Sequence, residues 1–328
     1  MRNRHVPFLA VCLSVIVIVI AGCGDDDGNG PTGPGPFNAI KFNIFEPDAL
    51  NSGYVYHLWA MTSAGSSFSA ASAEWTSVAT FRALPRGPEM TAEIVTAGGA
   101  QVNDNTLTGL DVDWSDVDSI YITIEPANTT PSSPQGPVYL VAKVPDSLEQ
   151  QTIGGLETPV GVNNVGGSFI LVSPTDNVTT NDTSGVWFYR PFDPPVASLV
   201  LDTLPTGWQY EGWAWHAGTW LSTGTFTTPD GPDSGNPYSA NDNPAPPFPG
   251  EDFLNNPGGP WVFVENDSVM ITVEPIPDTD PDAPFGFRIL GRALPENPAT
   301  AFFHSLDSTD DIQYIPGGNV VFKRSDDL

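Results

Sequence analysis

The side chains of this chain with chemistry to offer are four histidines, 39 acidic residues, two cysteines and nine tryptophans. A histidine works as a general base only with a nucleophile or carboxylate folded to within hydrogen-bond reach. His57 sits beside Leu58 and His216 follows Trp215, with no spacing that forces such a partner, so both are expected at surfaces or strand ends. A Gly-x-Ser-x-Gly elbow with a following Asp and His is absent from the sequence. No catalytic residue and no cofactor site is therefore expected. Asp278, Asp280 and Asp282 alternate like the opening of a calcium loop, but Ala283 stands at position six and Ile289 at position twelve, where Gly and Glu are needed. A solvated loop is the reading for these residues, and for Asp111, Asp113, Asp116 and Asp118 around Trp114. No metal site is expected.

The tryptophans divide by position. Trp59, Trp75, Trp213 and Trp220 recur at equivalent places in two similar stretches, as core residues would. Trp208, Trp215 and Trp261 belong to the second stretch alone, which makes them the candidate ligand-facing aromatics. The segment 229–256 would form the rim of such a site, because long Pro-rich insertions are often functional. Within it, Pro246-Pro247-Phe248-Pro249 offers an extended edge to a partner.

Cys23 carries the most specific chemistry. The chain starts Met1-Arg2-Asn3-Arg4, runs uncharged and apolar from Val6 to Ala21, and closes on Ile20-Ala21-Gly22-Cys23. A short apolar run behind a basic start reads as an export signal rather than a membrane span of roughly 20 residues. The final four residues resemble the bacterial lipobox, in which the cysteine thiol takes a diacylglycerol group. Residues 1–22 are thus expected to be a removed signal peptide and Cys23 the lipidated first residue. Residues 23–36 are Gly, Pro and Asp with no core-forming side chain, a disordered tether of about 40 Å when extended. Gly24 stands where an Asp would retain a Gram-negative lipoprotein at the inner membrane, which favours the outer membrane or the cell surface.

Composition limits the partners. Lys and Arg number 11 against 39 Asp and Glu, a net charge of −28, and removal of Arg2 and Arg4 makes it more negative. Nucleic acid and anionic lipid surfaces are not expected as partners on that ground. The membrane is expected to be reached through the lipid on Cys23, and any further partner to be extracellular or in the envelope. Cys12 lies in the signal, so no disulfide can form in the mature chain and its stability must come from a packed core. Only 15% of residues are charged, while Gly at 32 and Pro at 34 are abundant, the balance of short strands joined by many turns.

A duplication supplies the architecture. Tyr56-x-x-Trp59-Ala60, Trp75-x-Ser77-x-x-Thr80-Phe81 and Asp118-Ser119-Ile120-x-Ile122-Thr123-Ile124-Glu125-Pro126 return as Tyr210-x-x-Trp213-Ala214, Trp220-x-Ser222-x-x-Thr225-Phe226 and Asp267-Ser268-Val269-x-Ile271-Thr272-Val273-Glu274-Pro275. In the third block the apolar residues alternate, one face of a strand. The prolines end it, since they cannot donate to a ladder. A long loop and a return strand follow at 138–144 and 287–294, giving a hairpin in each copy. The expected fold is all-β: two tandem antiparallel β-sandwiches, residues 37–145 and 168–296, joined by a polar linker at 146–167 and followed by an extension at 297–328. Further strands are expected at 168–172, 186–189 and 319–323.

The blocks, in this order and with the closing Glu-Pro loop, are similar to the extracytoplasmic C-terminal domain of the anti-sigma-K factor family. The resemblance covers about two thirds of the chain and implies the fold of that outer domain in both copies. Regulators of that family grip their sigma factor with a cytoplasmic helical domain, whereas only five residues precede Val6 here. The function expected is a non-enzymatic envelope lipoprotein in binding, sensing or structure. A carbohydrate- or peptide-binding module and the outer part of a sigma-factor regulatory system are the alternatives.

Overall fold

The computed structural model describes residues 35–45, 47–63, 73–84, 92–149, 152–308, 314–324 and 326. The signal, Cys23 and most of the tether lie outside the described residues.

Alternating apolar residues build the first strands: β1 Ala39–Phe45, β2 Tyr54–Ser63, β3 Ala73–Leu84, β4 Glu93–Thr96, β5 Thr106–Leu107, β6 Ser119–Pro126 and β7 Val138–Lys143. β8 Thr152–Glu157 follows within the stretch expected to be a linker. The second half opens with β9 Gly166–Leu171, β10 Gly185–Trp187, β11 Tyr189–Arg190, β12 Val196–Ala197 and β13 Leu199–Val200. It continues with β14 Trp208–His216, β15 Thr219–Phe226, β16 Gly250–Asp252, β17 Ser268–Pro275, β18 Arg288–Ala293, β19 Phe303–Leu306 and β20 Gly317–Lys323. Strands take 44% of the residues and, among the described residues, no helix reaches seven, so the fold is all-β, with antiparallel sheets arranged as in a β-sandwich.

The duplication is visible in the pairing. One sheet runs β4-β3-β2-β6-β7-β8-β20-β1-β5, and another runs β15-β14-β17-β18. The order β3-β2-β6-β7 in the first half is therefore the order β15-β14-β17-β18 in the second. Even the irregularities recur. A register shift falls between Leu58 and Trp59 and again between Gly212 and Trp213. Another falls between Ile122 and Thr123 and again between Ile271 and Thr272. A bulge at the same place in two copies is a built feature, because it re-aims the side chain that follows it.

The extension past residue 296 returns to the beginning of the chain. β20 lies between β1 and β8, pairing Ala39 through Phe45 on one side and Thr152 through Glu157 on the other. The stretch 146–167 thus contributes a ladder strand, in addition to its turns. Its alternation of Ile153, Leu156 and glycines was too sparse to read as a strand. Phe322 and Val320 of β20 are fully buried, with Phe322 5.7 Å from the equally buried Trp114.

Residues Pro34–Leu328 form one compact unit, and a single cluster of buried apolar side chains runs through both repeats. The seam is aromatic. Tyr139 meets Tyr56 at 5.0 Å, Phe285 at 6.2 Å and Trp208 at 6.5 Å. Polar bonds flank it: the Trp208 indole N–H donates to the Val138 carbonyl at 3.2 Å, and the Gly286 amide donates to Asp48 at 3.1 Å.

Candidate functional site

Each Thr-x-Glu-Pro motif organises a buried relay. In the first half the Trp59 indole N–H donates to the Thr123 hydroxyl at 3.0 Å, and that hydroxyl donates to Glu125 at 2.8 Å. Glu125 in turn accepts the backbone amides of Gln135 and Gly136, both at 3.0 Å, and so fixes the Pro-rich loop. In the second half Trp213 donates to Thr272 at 3.0 Å, Thr272 donates to Glu274, and Glu274 accepts the Phe285 amide at 2.9 Å. Strand alternation places Thr123 and Glu125 on the face opposite the isoleucines. That face is nevertheless buried, because the tryptophan and the loop close over it. The same holds for Thr272 and Glu274, which are 0% and 1% exposed.

The copies differ at one position beside the relay. His57 in β2 corresponds to Glu211 in β14, and each bonds the serine of the neighbouring strand: His57 Nε2 pairs with Ser77 Oγ at 2.8 Å, and the Ser222 hydroxyl donates to Glu211. The His57 ring stacks on Trp59 at 4.0 Å. Burial lowers the His57 pKa, with the charge of Glu125 acting the other way. Glu211 is pushed up to about 8, chiefly by burial, which outweighs the Ser222 hydrogen bond. Glu274 is raised well above the carboxylate range, first by burial and further by Glu211. Two buried carboxylates facing one another resist losing both protons.

The loop 229–256, unmatched in the first half, is tied together internally by Asp233 and the buried Glu251, and tied to the rest of the second half by the buried Asp252. Asp233 accepts the Gly250 amide at 2.8 Å. Glu251 accepts the Ser239 hydroxyl and the Tyr238 amide. Asp252 accepts the Trp187 indole N–H and the Thr175 amide, the latter at 2.8 Å. Burial pushes Asp233 and Glu251 up to about 7 and raises Asp252 as well. Between the pinned loop and β15 lies a cavity of about 510 Å³, lined by Ser222, Gly224, Ser234, Asn236 and Tyr238 among others. Its size lies within the range of small-ligand sites. Hydroxyls, an amide and one phenol ring face it, the groups that meet a polar ligand.

The expected ligand-facing tryptophans are not gathered there. Trp208 is 3% exposed and serves the seam between the repeats, which corrects the expectation that it meets a ligand. Trp215 is half-buried opposite Trp220 in the β14–β15 ladder. Trp261 is half-buried and stacks on Phe253 at 5.1 Å, beside His216 at 5.2 Å. His216 Nδ1 pairs with Asp267 at 2.7 Å. Of the Pro-rich edge expected at 246–249, Phe248 and Pro249 are turned inward, with Phe248 against Tyr189 at 5.5 Å, while Pro247 is exposed. Tyr238 and Asn236 escaped the sequence reading because their only signal was membership of the long insertion, and Ser222 was visible only as part of the repeated Trp-x-Ser block. Among the described residues no group of three or more His, Cys, Asp or Glu is placed to hold a metal ion. Asp278 instead accepts the Asp280 amide at 2.8 Å in a local turn.

Comparison of the chain with family models, curated proteins and solved structures finds no match.

Proposed function

We propose that this chain is a non-enzymatic, lipid-anchored envelope protein that carries a rigid β-sheet binding platform outside the cell. The observation that carries this reading is the segment 229–256, which the half-buried Asp233 and the buried Glu251 and Asp252 hold as an ordered rim around a concave polar surface. Ordering a long loop costs conformational entropy, and a pre-formed concavity is what such an investment yields in a binding protein. The lipobox-like Ile20-Ala21-Gly22-Cys23, the polar tether and the resemblance to anti-sigma-K outer domains support the anchored, extracytoplasmic setting. The repeated Trp, Thr and Glu residues act as framework in this reading, and the second half supplies the variable surface. Hydroxyls, an amide and Tyr238 around the cavity favour a carbohydrate or peptide as the ligand class.

The reading is tested with Cys23→Ser. The substitution is expected to move the protein from the membrane fraction to the soluble fraction while leaving the thermal midpoint of the folded part unchanged. A protein that stays with the membrane as Cys23→Ser contradicts the anchor.

A further inference from the structure

A second concave surface lies away from the loop cavity, where β9 meets β13 and β19. β9 pairs with β19 through Ile170 and Phe303 down to Gly167 and Leu306, and with β13 through Gly167 and Leu199. Next to it, β11 and β12 form a hairpin whose tip carries Phe192. A groove of about 510 Å³ opens there, with Ser168, Arg190, Ser198, Val200, Phe303 and Ser305 among its lining residues.

Four features of this groove point to a ligand. None of its lining residues is acidic, although the chain has 39 Asp and Glu. Arg190 is exposed, and its side chain makes no hydrogen bond or ion pair with any described residue. Its guanidinium lies 5.6 Å over the Phe303 ring, an arrangement that holds the fork at the groove without consuming its donors. Ser168 is 5% exposed and its buried hydroxyl has no hydrogen-bond partner among the described residues, while its carbonyl accepts the Ser198 hydroxyl. Buried polar groups are ordinarily satisfied. Finally, Val200 at 53% and Phe303 at 37% are exposed in the lining, and Phe192, 56% exposed, stands edge-on to Phe303 at 6.2 Å. Contiguous exposed apolar surface of this kind marks an interaction site.

We propose that this groove binds a hexuronate unit of an acidic polysaccharide. The planar guanidinium of Arg190 matches a carboxylate with two parallel N–H donors. The Phe303 ring offers a flat apolar wall to the C–H face of a pyranose. The exposed Ser305 hydroxyl and the backbone supply partners for ring hydroxyls, which an acidic peptide side chain would leave unused. The absence of carboxylates from the lining removes the repulsion that the rest of this anionic surface presents to such a ligand. The inference goes beyond the binding-platform reading, since this groove shares no lining residue with the loop cavity.

The test is isothermal titration of the detergent-solubilised full-length protein with tetragalacturonate, a neutral galactan oligomer and oligoglutamate. Saturable binding of tetragalacturonate alone is expected. Arg190→Ala is expected to weaken it about tenfold or more, with Arg190→Lys in between because a point charge replaces the fork. Phe303→Ala also weakens it, and Arg190→Ala leaves the thermal midpoint unchanged because the side chain is exposed and unpaired. Equal binding of the neutral oligomer or of oligoglutamate overturns the proposal. Undiminished tetragalacturonate binding by Arg190→Ala removes this groove while the platform reading stands. No binding of any oligomer overturns the hexuronate assignment, and the anchored platform is then judged by the Cys23→Ser fractionation.

Discussion

Trp213 donates its indole N–H to the Thr272 hydroxyl at 3.0 Å, and Trp59 makes the same bond to Thr123 at the same distance in the other repeat. Each hydroxyl in turn donates a hydrogen bond to a buried glutamate, which holds the Pro-rich loop by its backbone amides. Thr272→Val keeps the shape and removes the link, leaving the indole N–H and Glu274 without it. A loss of about 2 kcal/mol is expected by urea denaturation, since an orphaned buried polar group costs its desolvation. Trp213→Phe combined with Thr272→Val is expected to cost less than the two single losses together, because both remove the same bond.

Stability is expected to rise as the solution is made mildly acidic. Glu211 has a folded pKa of about 8, and Asp233 and Glu251 of about 7, all raised mainly by burial. A carboxyl whose pKa is raised on folding binds its proton more tightly when folded, so its stabilising contribution is present at low pH. That contribution is lost as pH rises through the folded value. Glu211 alone accounts for a change on the order of 3 kcal/mol between about pH 5.5 and 8.5. Thermal midpoints across that range are expected to fall with rising pH, and Glu211→Gln is expected to flatten the slope and to exceed the parent protein at the alkaline end.

Asp252 ties β16 to Thr175 and Trp187, side chains far apart in sequence. Asp252→Ala is expected to cost about 3 kcal/mol, the loss of several hydrogen bonds to a buried charged group. Limited proteolysis reads the result directly: new cleavage sites are expected within 229–256, where the parent is resistant.

The closing strand is tested by Phe322→Ala. Phe322 is fully buried in β20 against Trp114, so the cavity left behind is expected to cost about 4 kcal/mol. Because β20 bridges β1 and β8, the first-half sheet is expected to loosen, with a shift in the emission of Trp114 toward that of exposed indole.

Much of the fold was legible because repetition and alternation are local signals. Tyr56, Trp59 and Thr123 recur as Tyr210, Trp213 and Thr272, and the structure places each pair at matching register positions. The strand at 319–323 was legible from Val320, Val321 and Phe322, but its partners were not, since β1 lies at the other end of the chain. The relay was hidden for a related reason. Alternation puts Thr123 and Glu125 on the face opposite the isoleucines, and it gives no sign that the Trp59 indole and the amides of a returning loop bond them there. Trp208 was read as ligand-facing because it lacks a counterpart; it lacks one because it fills the seam between the halves. The Arg190 groove had no sequence signal at all, as it gathers residues from β9, β11, β13 and β19.

The most direct measurement is the intact mass of the native protein purified from cells, paired with protease shaving of whole cells. The account predicts an N-terminus at Cys23 carrying a diacylglycerol mass, and release of fragments from the 37–328 region by external protease. A chain that begins at Met1, carries no lipid and is protected in intact cells would contradict it.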